Sequence, residues 1–240
     1  MAKANTQKKE ARGGGAAKAA RSRTSKANRV YHDIREAILS GTLEPGAAID
    51  KIALCERLGV SRFPVTTAIN RLAYERLVLI EPQHGSFIAK ISADDVRDLM
   101  IIRRALEVEI ASEAAQRLPE ESFIALERNL RYQQAAEQAK DYAGFYALDV
   151  EFHQIIINGI ALAHAHEILE GLRAHLERVR RLLLTPPGRL PNTLKEHRAV
   201  AEAIKSGDAQ AARAAMRAHL EQTSTMLATV SKQRPDLFQI

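Results

Sequence analysis

The sequence predicts a mainly α-helical protein in two parts: three short helices closed by a β-hairpin, then an all-α antiparallel bundle of six long helices. Three observations carry this. The 240 residues are rich in Ala, Leu, Arg and Glu, a composition that leans helical. Apolar residues recur at helical spacing along most of the chain. After Leu77 that spacing gives way to alternation, with Val78 and Ile80 set against Leu79 and Glu81.

The first helix is expected from about Asn28 to Leu39, with Val30, Ile34, Ala37 and Ile38 on one face; Gly and Pro in the segment 40–46 stop it. Asp50 then caps a short helix in which Leu54 and Leu58 lie one turn apart. Gly59 can take the left-handed conformation that ends a helix sharply. Ser61 is placed to cap the next helix, where Val65, Ile69 and Leu72 form one buried stripe. Arg62, Phe63, Thr66, Thr67, Asn70 and Arg71 are left pointing outward. The turn Pro82-Gln83-His84-Gly85 joins the strand beginning at Val78 to a returning strand, Ser86–Ala89. Three helices and this hairpin, over 28–91, make a winged helix-turn-helix. Its third helix presents Arg, Thr and Asn near an exposed N-terminus, which suits phosphate and base-edge contacts in a DNA major groove. An ordinary helical hairpin with a solvated polar face fits the same segment.

Ser92 opens the second part. With Asp95 it resembles a capping box. Helices are expected at about 93–117, 120–139, 142–158, 163–184, 192–205 and 208–230, separated at Pro119, Asp141, Gly159, Pro186-Pro187-Gly188 and Ser206-Gly207-Asp208. Lengths of this kind with short connections give an antiparallel bundle over 92–231, followed by a tail at 232–240.

Charge is uneven. Residues 1–28 hold eight Lys and Arg against Glu10 alone, so this segment is strongly basic while the rest of the chain, within a net +6 overall, is close to neutral. Its Ala, Gly, Ser, Lys and Arg, without apolar periodicity, predict a disordered basic arm over 1–27, able to add phosphate contacts or simply to aid solubility. Cys55 is the sole cysteine, which excludes an intrachain disulfide; it reads as a small packed thiol. No stretch is long and apolar enough to span a membrane, and no signal core opens the chain, so cytoplasm is the expected compartment.

Four residues in the second part have metal-ligand spacing. Asp149 and His153, at i and i+4, share one helix face. His197 and His219 lie 10 and 12 residues on either side of Gly207. On adjacent antiparallel helices both stand roughly 15–18 Å from the turn, nearly level. A carboxylate and three imidazoles suit a borderline divalent metal ion, Zn, Ni, Mn or Fe, with coordination positions left open. Structural histidines account for the same spacing without a metal. Arg103 and Arg104, beside Ile101, Ile102 and Leu106, lie on a face expected to turn inward, where arginine can grip a carboxylate; a surface pair between an arginine and Glu107 is the other reading.

These segments resemble a known family. IREAILSGTLEPG (34–46), ERLGVSRFPV (56–65), AINRL (68–72) and HGSFI (84–88) are similar to the DNA-binding domain of the GntR family of bacterial transcriptional regulators. RRALEVEIASEAA (103–115), LDVEFH (148–153), EHRAVAEAIKSGD (196–208) and AARAAMRAHL (211–220) resemble the FCD effector domain of its FadR branch, in the shorter VanR-like subgroup. The resemblance implies a homodimer that binds a palindromic double-stranded DNA operator and is modulated by a small carboxylate effector. It implies metal ligation by Asp149, His153, His197 and His219, effector binding by Arg103, and DNA contacts from Arg35, Ser61, Arg62, Pro64, His84 and Gly85. The chain departs from the family pattern at Phe63, where Thr is usual, at Thr66-Thr67, where Arg-Glu is usual, and at Arg76, where Gly is usual. A helical metalloenzyme acting on an organic acid, with an accessory DNA-binding domain, is the alternative from another class.

Overall fold

The computed structural model describes residues 26–184 and 186–239, so the basic arm expected over 1–27 lies outside the described residues up to residue 25. Lys26 and Ala27 already belong to the first helix, α1, described over 26–39. Ala27 is buried one turn before Val30, which carries the apolar stripe further back than the expected start. The chain divides between Lys90 and Ile91 into two compact units.

In the first unit α1 is followed by α2 (Lys51–Leu58) and α3 (Arg62–Tyr74). Asp50 caps α2, its carboxylate accepting the N–H groups of Ile52 and Ala53 at 2.8 and 3.0 Å. Gly59 ends α2 at φ 60°, ψ 41°, the left-handed turn that lets α3 set off at an angle. Ser61 stands at the N-cap of α3 as expected, but its hydroxyl makes no capping bond. The third residue of α3 is Pro64, which has no N–H to offer it. Val30, Ile34, Ile38, Val65, Ile69, Leu72 and Ile88 are almost fully inaccessible and form the core of this unit.

Strands β1 (Val78–Glu81) and β2 (Gly85–Ile88) pair antiparallel in the register Val78↔Ile88 to Glu81↔Gly85. The returning strand thus begins one residue earlier than expected, and Pro82-Gln83-His84 alone make the turn, with Gln83 left-handed at φ 66°. The segment 47–49 adds itself to the other edge of β2. The Ile49 N–H bonds the Ser86 carbonyl at 2.7 Å, and the Ile88 N–H bonds that of Ala47 at 2.8 Å.

The second unit is a six-helix bundle: α4 (Ala93–Arg117), α5 (Glu120–Ala139), α6 (Tyr142–Gly159), α7 (Ala163–Leu184), α8 (Arg189–Lys205) and α9 (Ala209–Gln233). Ser92, Asp141 and Asp208 cap α4, α6 and α9 through their side chains. Helix α8 starts three residues before its expected position, because Pro191 falls in its first turn, where a missing N–H costs nothing. The most extensive helix–helix packing is between α4 and α9, α5 and α6, and α8 and α9. Ala111, Ala114 and Ala212 are fully buried in the core, small side chains that leave room for Phe152, Ile204 and Met216. At the end of α6, Gly159 permits a close approach: a Cβ there would lie 2.5 Å from Leu118 Cδ1 and 2.7 Å from Ser122 Oγ.

The chain does not trail away after α9. A 3-10 turn (Pro235–Leu237) leads to β4 (Phe238–Gln239), which pairs in parallel with β3 (Ile91–Ser92). Phe238 is buried beside Ile91, Val96, Leu183 and Val230. Of the tail expected over 232–240, residues 232 and 233 complete α9 and Phe238 is packed into the bundle, while most of the other described residues stay exposed. Among the described residues no helix is long and apolar enough to cross a membrane.

Candidate metal centre

Helix α6 buries Phe145, Tyr146, Asp149, Phe152, His153 and Ile156, so a carboxylate and an imidazole occupy positions in an otherwise apolar stripe. His197 from α8 and His219 from α9 meet them. One ligand atom from each of Asp149, His153, His197 and His219 lies within 4.8 Å of all the others, and all four side chains are buried. Phe152 stacks on His197 with ring centroids 4.1 Å apart, fixing the plane of that ring.

The outer nitrogen of every imidazole faces an oxygen. His153 Nδ1 lies 2.5 Å from Glu107 Oε2, though not aligned as a regular hydrogen bond. His197 Nδ1 lies 2.8 Å from Gln133 Oε1, and His219 Nδ1 lies 2.8 Å from Glu196 Oε2. The His197 contact has a defined direction. Asn129 Nδ2 donates to the Leu148 carbonyl at 3.1 Å and to Glu151 Oε2 at 2.9 Å. Its Oδ1 therefore accepts from Gln133 Nε2, at 2.7 Å, which leaves Gln133 Oε1 to accept from His197 Nδ1. The proton sits on Nδ1 and the lone pair of Nε2 points into the cluster. Outer partners of this kind orient metal-bound histidines.

The inner atoms fit a cation. His197 Nε2 is buried without a hydrogen-bond partner and lies 3.4 Å from Asp149 Oδ1. His153 Nε2 and His219 Nε2 face each other at 3.3 Å. Two lone pairs at that distance repel, and a divalent ion held between them and Asp149 removes the conflict. Burial, and then the neighbouring imidazole of His219, push the His197 pKa well below its usual range. Burial, and then His153, do the same for His219. Burial pushes the Asp149 carboxyl up, but the Arg180 guanidinium beside it outweighs that and holds it well below the usual carboxylate range. Neutral imidazoles and an ionised carboxylate are the forms that bind metal.

Three buried arginines surround the cluster. Arg103 Nε donates to Glu107 Oε1 at 2.6 Å, and its Nη2 lies 3.2 Å from His153 Nε2. Arg180 donates to Asp149 Oδ2. Arg189 grips both oxygens of Glu196 at 2.7 and 3.1 Å. Arg103, Arg180, Arg189, Asp149 and His219 share the lining of a cavity of about 20 Å³. The expectation of a whole inward face at Arg103-Arg104 is corrected. Arg103 is buried, but Ile101 and Ile102 are 52% and 44% exposed, and Arg104 reaches Glu221 at the surface. The buried stripe of α4 passes through Met100, Arg103 and Glu107 instead. The Arg103–Glu107 pair forms, in the interior rather than on the surface. Sequence spacing singled out neither Gln133 and Asn129 nor Glu196, Arg180 and Arg189.

In the winged unit, Ser61, Arg62, Phe63, Thr66, Thr67, Asn70 and Arg71 are exposed on α3, and His84 and Gly85 are exposed in the wing. Pro64 is buried, which removes it from the reading face; its place is the first turn of α3, where a fixed φ helps start the helix. Thr67 spends its hydroxyl on the Phe63 carbonyl at 3.0 Å. Arg35 and Arg71 converge on Glu75 at 3.5 and 3.4 Å, and Arg71 lies over the Tyr31 ring.

Comparison with known proteins bears on both units. Residues 26–88 match the family described as bacterial regulatory proteins, gntR family, and residues 98–222 match the FCD domain. The HTH-type transcriptional repressor RspR of Escherichia coli K12 is 32% identical over 212 residues, covering 87% of this chain and 92% of that protein. The gluconate operon transcriptional repressor of Bacillus licheniformis is 25% identical, covering 78% of this chain and 79% of its own length. Among solved structures, a putative GntR transcriptional regulator from Rhodococcus sp. RHA1 superposes with a TM-score of 0.71 at 23% identity, over 85% of this chain and 98% of that one. E. coli McbR/YncC gives 0.70 at 21% identity with the same coverage.

Proposed function

The chain belongs to the GntR family of bacterial transcriptional regulators, with an FCD domain behind its DNA-binding domain, and from that we propose that a small organic acid held at a metal site in the bundle modulates its binding to an operator. Membership sets the metalloenzyme reading aside: the relatives are regulators. The observation that carries the proposal is the convergence of four buried ligand atoms beside Arg103, with each outer imidazole nitrogen facing an oxygen. Asp149, His153, His197 and His219 would hold the ion. A divalent ion there supplies a Lewis-acidic attachment point for a carboxylate oxygen, and Arg103 would orient that carboxylate.

In this reading the DNA is a palindromic operator bound by a homodimer. Arg62, Phe63, Thr66, Asn70 and Arg71 face the major groove, and His84 and Gly85 lie along the backbone. Ser61 joins them, its hydroxyl unspent on capping, and Arg35 adds a phosphate contact near Glu75. The acid alters DNA binding only through a difference in affinity for two arrangements of the protein.

The test is to select bound DNA from a random pool and titrate the selected operator with metal-loaded, EDTA-stripped and His153→Ala protein, with and without candidate acids. The loaded protein should carry about one ion per chain and change its operator affinity about 5- to 150-fold with the right acid. The stripped protein and the variant should lose that response. A metal content near zero that His153→Ala leaves unchanged removes the site from the account.

A further inference from the structure

Resting on the effector reading above, we propose that the acid is a compact dianion: one small molecule carrying two negative charges, held between the metal and the guanidinium groups of Arg103, Arg180 and Arg189. The argument is a charge count. Each arginine is matched to one carboxylate: Arg103 to Glu107, Arg180 to Asp149, Arg189 to Glu196. The three pairs cancel. The imidazoles add nothing, because each turns Nδ1 to an outer oxygen and leaves Nε2 as a lone pair toward the centre. The protein shell is therefore neutral, and a divalent ion makes it +2.

That charge is enclosed. Arg103, Arg180 and Arg189 are between 5% and 8% exposed, and Asp149 is the only acidic residue among the described residues lining the cavity they share. An uncompensated charge in such surroundings is strongly disfavoured. A monoanion would cancel half of it; a dianion cancels all of it. The guanidinium groups supply donors for the second charged end, in addition to the attachment at the metal. The cavity itself has room for only one or two water-sized groups, so a dianion enters by moving the lining side chains apart, which favours a compact ion over a long-chain acid.

The dianion could be a dicarboxylate or an inorganic ion, and one experiment distinguishes them. Nickel-loaded and EDTA-stripped full-length protein are titrated by calorimetry with succinate, with butyrate (the same four carbons with one charge) and with sulfate, and metal content is checked after each titration. The loaded protein should bind succinate or sulfate at least about tenfold more tightly than butyrate, the scale a fully cancelled buried charge implies. The stripped protein, whose shell is neutral, should show no such preference. Whichever dianion binds better identifies the source. Butyrate binding as tightly as both dianions overturns the charge assignment and leaves the carboxylate effector standing. A preference that survives stripping overturns the count. Failure of all three to bind the loaded protein overturns this proposal, while the carboxylate effector stands or falls separately on the operator titration with the wider set of acids.

Discussion

Gln133 holds the His197 ring only because its own amide is held in turn. Glu151 and the Leu148 carbonyl orient Asn129, Asn129 orients Gln133, and Gln133 directs the His197 lone pair inward. Gln133→Leu keeps the volume near constant and removes the acceptor, so the ring is free to take the other tautomer. Metal affinity should fall by about 10- to 100-fold, read by competition with a chelating dye, with helical content unchanged. Undiminished affinity would refute the relay. The convergence of Asp149, His153, His197 and His219 was legible in the sequence because helical spacing and the Gly207 turn fix their heights. Gln133, Asn129 and Glu196 were not. A lone amide or glutamate on a helix carries no period, and its role depends on which helix packs opposite it. Arg103 was legible, but its partner Glu107 read equally well as a surface residue, since i, i+4 spacing is the same inside and out.

At the scale of the element, caps made the bundle legible. Ser92, Asp141 and Asp208 mark helix starts that the structure places within one residue of expectation. What escaped was pairing over few residues. The segment 47–49 is too short to show an alternating pattern, yet it joins the sheet through β2. Residues 238 and 239 follow a proline and a polar stretch, so nothing local announces β4. Phe238 nonetheless fills a site between α4, α7 and α9 and is 4% exposed. Phe238→Ala should cost about 3 kcal/mol of bundle stability through lost burial and the cavity left behind. Urea unfolding followed by circular dichroism measures it; a change below about 0.5 kcal/mol would mean that the strand is not anchored by this ring.

The whole molecule carries a pH signature set by its buried cluster. His197 and His219 are held well below their usual range, first by burial and then by neighbouring imidazoles. The unfolded chain takes up protons near pH 6.5 that the folded chain refuses. Stability is therefore fully present above that pH and falls as pH drops from about 6.5 toward the folded values. Asp149 and Glu107, also held low, add a second loss below about pH 4, where the unfolded carboxylates protonate first. For EDTA-treated protein, the urea midpoint should be lower at pH 5.5 than at pH 7.5. His219→Gln should reduce that difference by on the order of 1 kcal/mol. Equal midpoints at the two pH values would count against neutral, buried imidazoles.

The two-unit architecture was legible at the same scale, because the switch of period at Leu77 and the cap at Ser92 bracket the junction. The parallel pairing of β4 with β3 gives that junction a mechanical character. Helix α9 carries His219 near its middle and runs roughly 21 Å further to Gln233. Its end is then clamped to Ile91 and Ser92, the first residues beyond the winged unit. A rod that enters the buried cluster at its middle and is fastened at the tether has little slack. A fraction of a turn or an ångström of travel imposed on His219 would reach Ile91 as tension on the chain that joins the two units.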